Sequence, residues 1–266
     1  QFAGGFYNNF YYNVFDLPHD YLAGPLEGKF KGVPAIICGA GPSLKKNIEL
    51  LATLKDKALI FGGGTAMNAL NNAGIHPHFG VGIDPNSDQI LRLITNTAYD
   101  IPYFYHRRLN AFALQAVHGD HLYVSSGLSY PLSDWLDRHL GLSPKNLDEG
   151  YNVVNFSLAI AHALGCNPII TVGVDLAYSE DASYSTLSDP HPIYANKQAY
   201  RTKGTDEELI PRVDIHGKPV LTLWKWLIES AWYANYLLEH PEMTMINATE
   251  GGLGFPGVPN MTLKDA

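Results

Sequence analysis

The stretch Pro34-Ala35-Ile36-Ile37-Cys38-Gly39-Ala40-Gly41-Pro42-Ser43-Leu44 decides the fold. A short apolar run, Pro34 to Cys38, enters a glycine turn and then a helical pattern that continues through Leu54. Strand, tight turn and helix in that order are the opening of a βαβ unit. The same alternation recurs on the C-terminal side. Ala58–Phe61 ends in Gly62–Gly64 and is followed by a helix-like Thr65–Ala73, and Phe79–Ile83 ends in Asp84-Pro85-Asn86. Further apolar runs come at Ile101–Tyr105 and His121–Ser125. Short strands alternating with segments of about ten residues predict a mostly parallel sheet with helices on both faces, a Rossmann-like α/β fold. Val153–Leu164 reads as a buried helix, Pro168–Val174 as a further strand ending at Asp175, and Leu221–Leu238 as an aromatic-rich helix before a glycine loop at Thr249–Pro259.

Two segments break the alternation. Residues 1–30 are aromatic and Asn-rich, with no clean period, and are expected to form an N-terminal helix or arm packed on a body spanning 31–266. Residues 178–218 are polar, turn-rich and aperiodic, so they are expected as a lid or binding loop.

Composition narrows the function classes. The 266 residues are 46% hydrophobic and 17% charged, which excludes disorder, and 25 Gly with 17 Pro show no collagen-like period. A net charge of −8 excludes broad electrostatic binding of duplex nucleic acid. It leaves small anions open, because backbone amides and helix N-termini hold them without appearing in a charge count. No apolar stretch approaches the ~20 residues of a spanning helix. Cys38 and Cys166 sit in apolar contexts that read as buried, which fits a reducing cytoplasm better than secretion. A chain starting at Gln1 without a signal peptide is expected to be a domain of a longer protein.

Ligands of open parallel sheets bind beyond the carboxyl ends of the strands, so the loops after the strands carry the candidates. Gly39, Gly41, Pro42 and Ser43 form a turn whose amides and hydroxyl could hold a phosphate, or which simply joins strand to helix. It is neither a Walker loop, which ends in Gly-Lys-Ser/Thr, nor a dinucleotide fingerprint, since Leu44 stands where the third glycine belongs. Gly64 and Thr65 open the next helix in the same way. Asp84 and Asn86 could bind ribose or sugar hydroxyls, or cap the following helix. His76-Pro77-His78 would bring two imidazoles to one side of an extended chain, but no carboxylate or Cys has a matching spacing, so a loop is expected and no metal site. His162, on a buried helix, is expected as a core residue satisfied by neighbours. Asp175 lies at a strand end, and Tyr178 and Tyr184 follow it; tyrosine hydroxyls can donate to a departing phosphate without adding positive charge, or the rings can be packing aromatics.

The ordered set Pro34 to Leu44, Gly74-Ile75-His76-Pro77, Gly82-Ile83-Asp84, Ala163-Leu164-Gly165-Cys166, Gly173-Val174-Asp175-Leu176-Ala177-Tyr178 and Asn247-Ala248-Thr249-Glu250-Gly251-Gly252 resembles the bacterial motility accessory factor family over about residues 30–257. His78 and Val174 depart from that family's usual acidic and polar residues. The core is also similar to that of the family 42 bacterial sialyltransferases. The resemblance implies a cytoplasmic glycosyltransferase that moves a nonulosonic, sialic-acid-like sugar from a CMP donor to a protein hydroxyl, with flagellin the implied acceptor. It implies that Gly39, Gly41, Pro42 and Ser43 hold donor phosphate and ribose, that Asn152 and Asn155 lie near the cytosine, and that Tyr178 and Tyr184 support the leaving CMP phosphate. A lid histidine, His191 or more fittingly His216, would be the general base. No cofactor would then be required. The same superfamily contains an archaeal 6-hydroxymethylpterin pyrophosphokinase, which would need ATP and Mg²⁺; a nucleotide-binding module without catalysis is the third reading.

Overall fold

The computed structural model describes residues 3–87, 90, 100–125, 131–142, 147–178 and 208–266. The N-terminal segment forms a helix, α1 (Ala3–Asp16), and a two-residue strand, β1 (Tyr21–Leu22). The alternating body follows: β2 (Ala35–Cys38), α2 (Leu44–Ala52), β3 (Leu59–Gly63), α3 (Thr65–Asn72), β4 (Phe79–Gly82), β5 (Tyr103–Tyr105), α4 (Ala111–Gln115), β6 (His121–Tyr123), α5 (Pro131–His139), α6 (Val153–Ala163) and β7 (Ile169–Val172). A hairpin of β8 (Ile210–Val213) and β9 (Pro219–Thr222) precedes α7 (Trp224–Glu239) and β10 (Met245–Asn247).

Among the described residues, eight strands form one sheet in the order β1-β6-β5-β4-β3-β2-β7-β10, every pair parallel. From β2 the chain steps outward through β3, β4, β5 and β6, then returns to place β7 on the other side of β2. The reversal opens a crevice between the loops after β2 and β7, where α/β sheets of this kind bind ligands.

The apolar strands are explained by burial on two faces. Ala35, Ile37, Phe61 and Ile169 join Phe156, Leu158, Ile160, Trp232 and Tyr233 of α6 and α7 in one core cluster. Their neighbours Ile36, Cys38, Ile60, Ile170 and Val172 pack with Leu44, Leu51, Ala66 and Leu70 of α2 and α3 in another. The predicted helices on both faces are therefore present. Cys38 and Cys166 are free and buried, and burial raises both thiol pKa values, that of Cys166 to about 11.

The asparagines of the N-terminal segment are its anchors. Asn13 Nδ2 donates to the carbonyls of Arg107 and Leu109, both at 2.7 Å, and Asn9 Nδ2 donates to Pro85 O at 3.0 Å. Phe10 is buried while Tyr7, Tyr11, Tyr12 and Phe15 remain exposed.

Two expectations need correction. The stretch 178–218 is not irregular throughout: 210–213 pairs antiparallel with 219–222. Its strands are mostly exposed, so they carry no apolar alternation to read. For the same reason the helix expected from Leu221 starts at Trp224, because Leu221 and Thr222 close that ribbon. Residues 179–207, with Tyr184 and His191, lie outside the described residues. No helix among the described residues is long and apolar enough to cross a membrane.

Candidate functional site

A cleft of about 430 Å³ opens at the sheet's reversal. Its floor is the glycine turn after β2 and the loop Gly173–Ala177 after β7; Gly63–Ala66, Gly82–Pro85, Tyr151–Val154 and the first turns of α7 complete it. The glycines are dictated by closeness. A Cβ on Gly39 would meet the Gly173 carbonyl, and one on Gly41 would meet the Asp175 carboxylate. Gly64 adds a left-handed φ of 52°, which glycine adopts without strain.

The turn's polar groups are largely committed to the protein. The Gly39 amide donates to Val172 O at 2.8 Å and the Gly41 amide to Gly173 O at 2.7 Å. Pro42 has no amide hydrogen. Ser43 is buried, and its hydroxyl donates to Asp175 Oδ2 at 2.7 Å, with its amide at 3.3 Å from the same oxygen. Neither Pro42 nor Ser43 lines the cleft. The turn thus welds β2 to β7 and holds Asp175 in place. Burial pushes the Asp175 carboxyl above the ordinary carboxylate range, against the lowering effect of Ser43 and Lys46.

Three helices start at the cleft, and they differ in how they start: α7, after Leu223, has no side-chain cap and brings Lys225 and Trp226 of its first turn to the lining. The N-terminus of α6 is capped by its own sequence: Asn152 Oδ1 accepts from the amides of Val154 at 2.8 Å and Asn155 at 2.9 Å. The N-terminus of α3 has no side-chain cap, since Gly64 occupies the cap position, and Thr65 and Ala66 of its first turn face the cleft. First-turn amides without a side-chain cap, and the positive end of the dipole, make that terminus suited to an anion.

Of the residues singled out from sequence, Gly39, Gly41, Gly64, Thr65, Asp84, Asn152 and Asp175 meet in the cleft lining. Asn86 does not; its amide donates to Asp84 Oδ1 at 3.2 Å in a local turn. Asn155 is fully buried behind the cap, its Oδ1 accepting from the Tyr151 amide at 3.0 Å. Tyr178 sits one layer out, its ring 4.9 Å from that of Trp226, which does line the cleft. His216 stands exposed on the β8–β9 turn, 3.4 Å from Glu250 O, outside the lining. His78 is turned inward, where its Nδ1 accepts from the Ile60 amide at 3.0 Å. His162 is not a core residue: it is half-buried at the end of α6, between Tyr236 and Glu242.

Sequence reasoning passed over Lys225, Trp226 and Glu229, which α7 brings to the cleft, and Tyr151 beside the α6 cap. Lys225 and Glu229 are four apart on a helix, a same-face pair that could have been noted. Burial raises the Glu229 pKa to about 7, opposed by a hydrogen bond from Asn152 and by Lys225. Arg108 also lines the cleft and pairs with Glu149 at 2.7 Å. Asp84, Asp175 and Glu229 thus face two cations, Arg108 and Lys225.

The chain is similar in fold to the structure of the MAf glycosyltransferase from Magnetospirillum magneticum AMB-1, with a TM-score of 0.68 at 19% identity over 89% of this chain. It spans 34%, about a third, of that protein's length. No curated protein sequence matches it. Residues 8–181 match the family model described as 6-hydroxymethylpterin diphosphokinase MptE-like. The match covers well over half of the chain, which therefore belongs to the MptE-like family.

Proposed function

We propose that the protein is a glycosyltransferase that takes a nonulosonic sugar from a CMP donor and passes it to a protein hydroxyl, flagellin being the acceptor implied by its resemblance to the motility accessory factors. One observation carries the donor reading: the cleft offers the uncapped start of α3, at Gly64–Thr65–Ala66, and, among the described residues, two lining cations. That arrangement suits the lone phosphate of a CMP leaving group better than a triphosphate chain, whose charge calls for Mg²⁺ and several cations. The fold shared with the MAf glycosyltransferase supports the same reading.

In this reading the α3 amides hold the phosphate as charge gathers on it, and Tyr178, backed by Trp226, donates to it with Tyr184. Asp84 and Asp175 meet donor hydroxyls. The acceptor proton goes to a general base. The resemblance points to His216; the cleft itself holds Glu229, whose raised pKa suits proton abstraction near neutral pH. Donor binding needs no metal here, and the localisation implied is cytoplasmic.

A thermal-shift panel with CMP, CTP, ATP and GTP tests the reading. CMP alone should stabilise the protein strongly, and CMP should be released when donor and acceptor are supplied. Tyr178→Phe should lower kcat by about 10²-fold. A strict divalent-metal requirement with full activity in both Tyr178→Phe and Tyr184→Phe would overturn the mechanism.

A second reading has its own support. The family model is that of a 6-hydroxymethylpterin diphosphokinase-like protein, and Asp84 and Asp175 line the cleft, where a single carboxylate with water and ATP phosphates could hold Mg²⁺. AMP release from ATP in the presence of the pterin and Mg²⁺ would decide for it.

A further inference from the structure

At the opposite end of α6 from the cleft, two helices finish side by side. His162 lies in the last turn of α6, His240 is the C-cap of α7, and Glu242 follows in a turn closed by the Met243 amide on His240 O at 3.0 Å. We propose that His162, His240 and Glu242 form a binding site for one divalent ion of the zinc class, which fastens the ends of α6 and α7 together.

The geometry carries the proposal. One ligand atom from each residue lies within 4.8 Å of the other two. Glu242 Oε1 is 3.1 Å from His162 Nε2 and 3.5 Å from His240 Nδ1. Around a tetrahedral ion with bonds of about 2.0–2.2 Å, ligand atoms stand roughly 3.3–3.6 Å apart, so little movement is needed to admit the ion. Two imidazoles and a carboxylate are a zinc donor set rather than one for Mg²⁺ or Ca²⁺, which prefer oxygen. The fourth position faces solvent and would take water.

Two further features favour a cation at this place. His162 Nδ1 lies 3.0 Å from Tyr236 OH, the kind of outer partner that fixes the ring of a metal-bound histidine. With Nε2 on the ion, the ring carries its proton on Nδ1 and donates it to the Tyr236 oxygen. The C-termini of α6 and α7 also converge here, and each presents the negative end of a helix dipole. The site is independent of the cleft: ten residues of α6, roughly 15 Å, separate His162 from Asn152.

The test uses the untagged full chain, stripped with chelator, exchanged into chelator-free buffer at roughly pH 7.5, where imidazoles are neutral, and titrated with Co²⁺ and then Zn²⁺. The expected result is one equivalent of Co²⁺ with the visible absorption of a tetrahedral centre, bleached by Zn²⁺, and a Zn²⁺-dependent rise in Tm. His162→Gln, His240→Gln and the exposed Glu242→Gln should each weaken binding by about tenfold or more and abolish the Tm rise. Absence of stoichiometric binding, or binding that persists undiminished in all three variants, overturns the proposal. Glu242→Gln guards against misfolding as an explanation, because its side chain is 64% exposed.

Discussion

Glu229 is the residue where the fold's energetics and the site's chemistry meet. Its side chain is buried against the cleft, and its pKa in the folded protein, about 7, lies above the ordinary 4.5. The native state therefore holds this proton more tightly than the unfolded chain. As pH rises from 4.5 through 7, ionisation costs the native state stability, and the cost is complete above 7. Glu229→Gln removes that dependence. The variant should match the wild type near pH 5 and exceed it near pH 8 by about 2–3 kcal/mol, read from urea titrations at the two pH values. The same substitution should lower turnover by about 10²-fold if Glu229 is the base, whereas His216→Gln carries that loss if the histidine is. Gly41 makes the opposite case, a residue with no side chain whose absence is used. Gly41→Ala drives a methyl into the Asp175 carboxylate and should destabilise the protein by about 1–3 kcal/mol in a thermal melt.

At the scale of elements, the contrast between α3 and α6 matters most. Asn152→Ala removes the α6 cap and should cost about 1 kcal/mol, seen as a drop of about 2–4 °C in Tm. The elements that could be read in the sequence are those whose burial is dictated locally. β2, β3, β4 and β7 are nearly continuous apolar runs because both faces are covered, and each ends in a glycine or is followed by one. The hairpin β8–β9 could not be read in that way, since an exposed ribbon imposes no period on its residues. The candidate site divides along the same line. Residues directly after strands, such as Gly64, Asp84 and Asp175, are placed by topology and were legible. Lys225, Trp226 and Glu229 reach the cleft only because α7 packs beside α6, a long-range fact that the i,i+4 pairing of Lys225 and Glu229 does not by itself disclose. The role of Ser43 was visible in part: the turn was read, but its bond to Asp175 joins residues 132 apart.

For the molecule as a whole, the N-terminal segment is tied in by side chains rather than by an apolar stripe. Asn13 satisfies two buried carbonyls of the loop after β5. Asn13→Ala leaves both without partners and should cost about 1–3 kcal/mol per carbonyl left dry, measured as a loss of midpoint in a denaturant titration. A change of slope alongside the midpoint would show that α1 separates from the body before the rest unfolds.

The bare start of α3 and the self-capped start of α6 also bear on where an anion is held, since the third terminus, that of α7, carries Lys225 and Trp226 at the cleft. Of α3 and α6, the first has no side-chain cap and the second has closed its donors with its own asparagine. Under the proposed function, inorganic phosphate should compete with the nucleotide for the seat at α3, and Thr65→Pro should weaken that competition. Under the proposed function a nucleotide would lie with its phosphate toward Thr65 and its base toward Asn152.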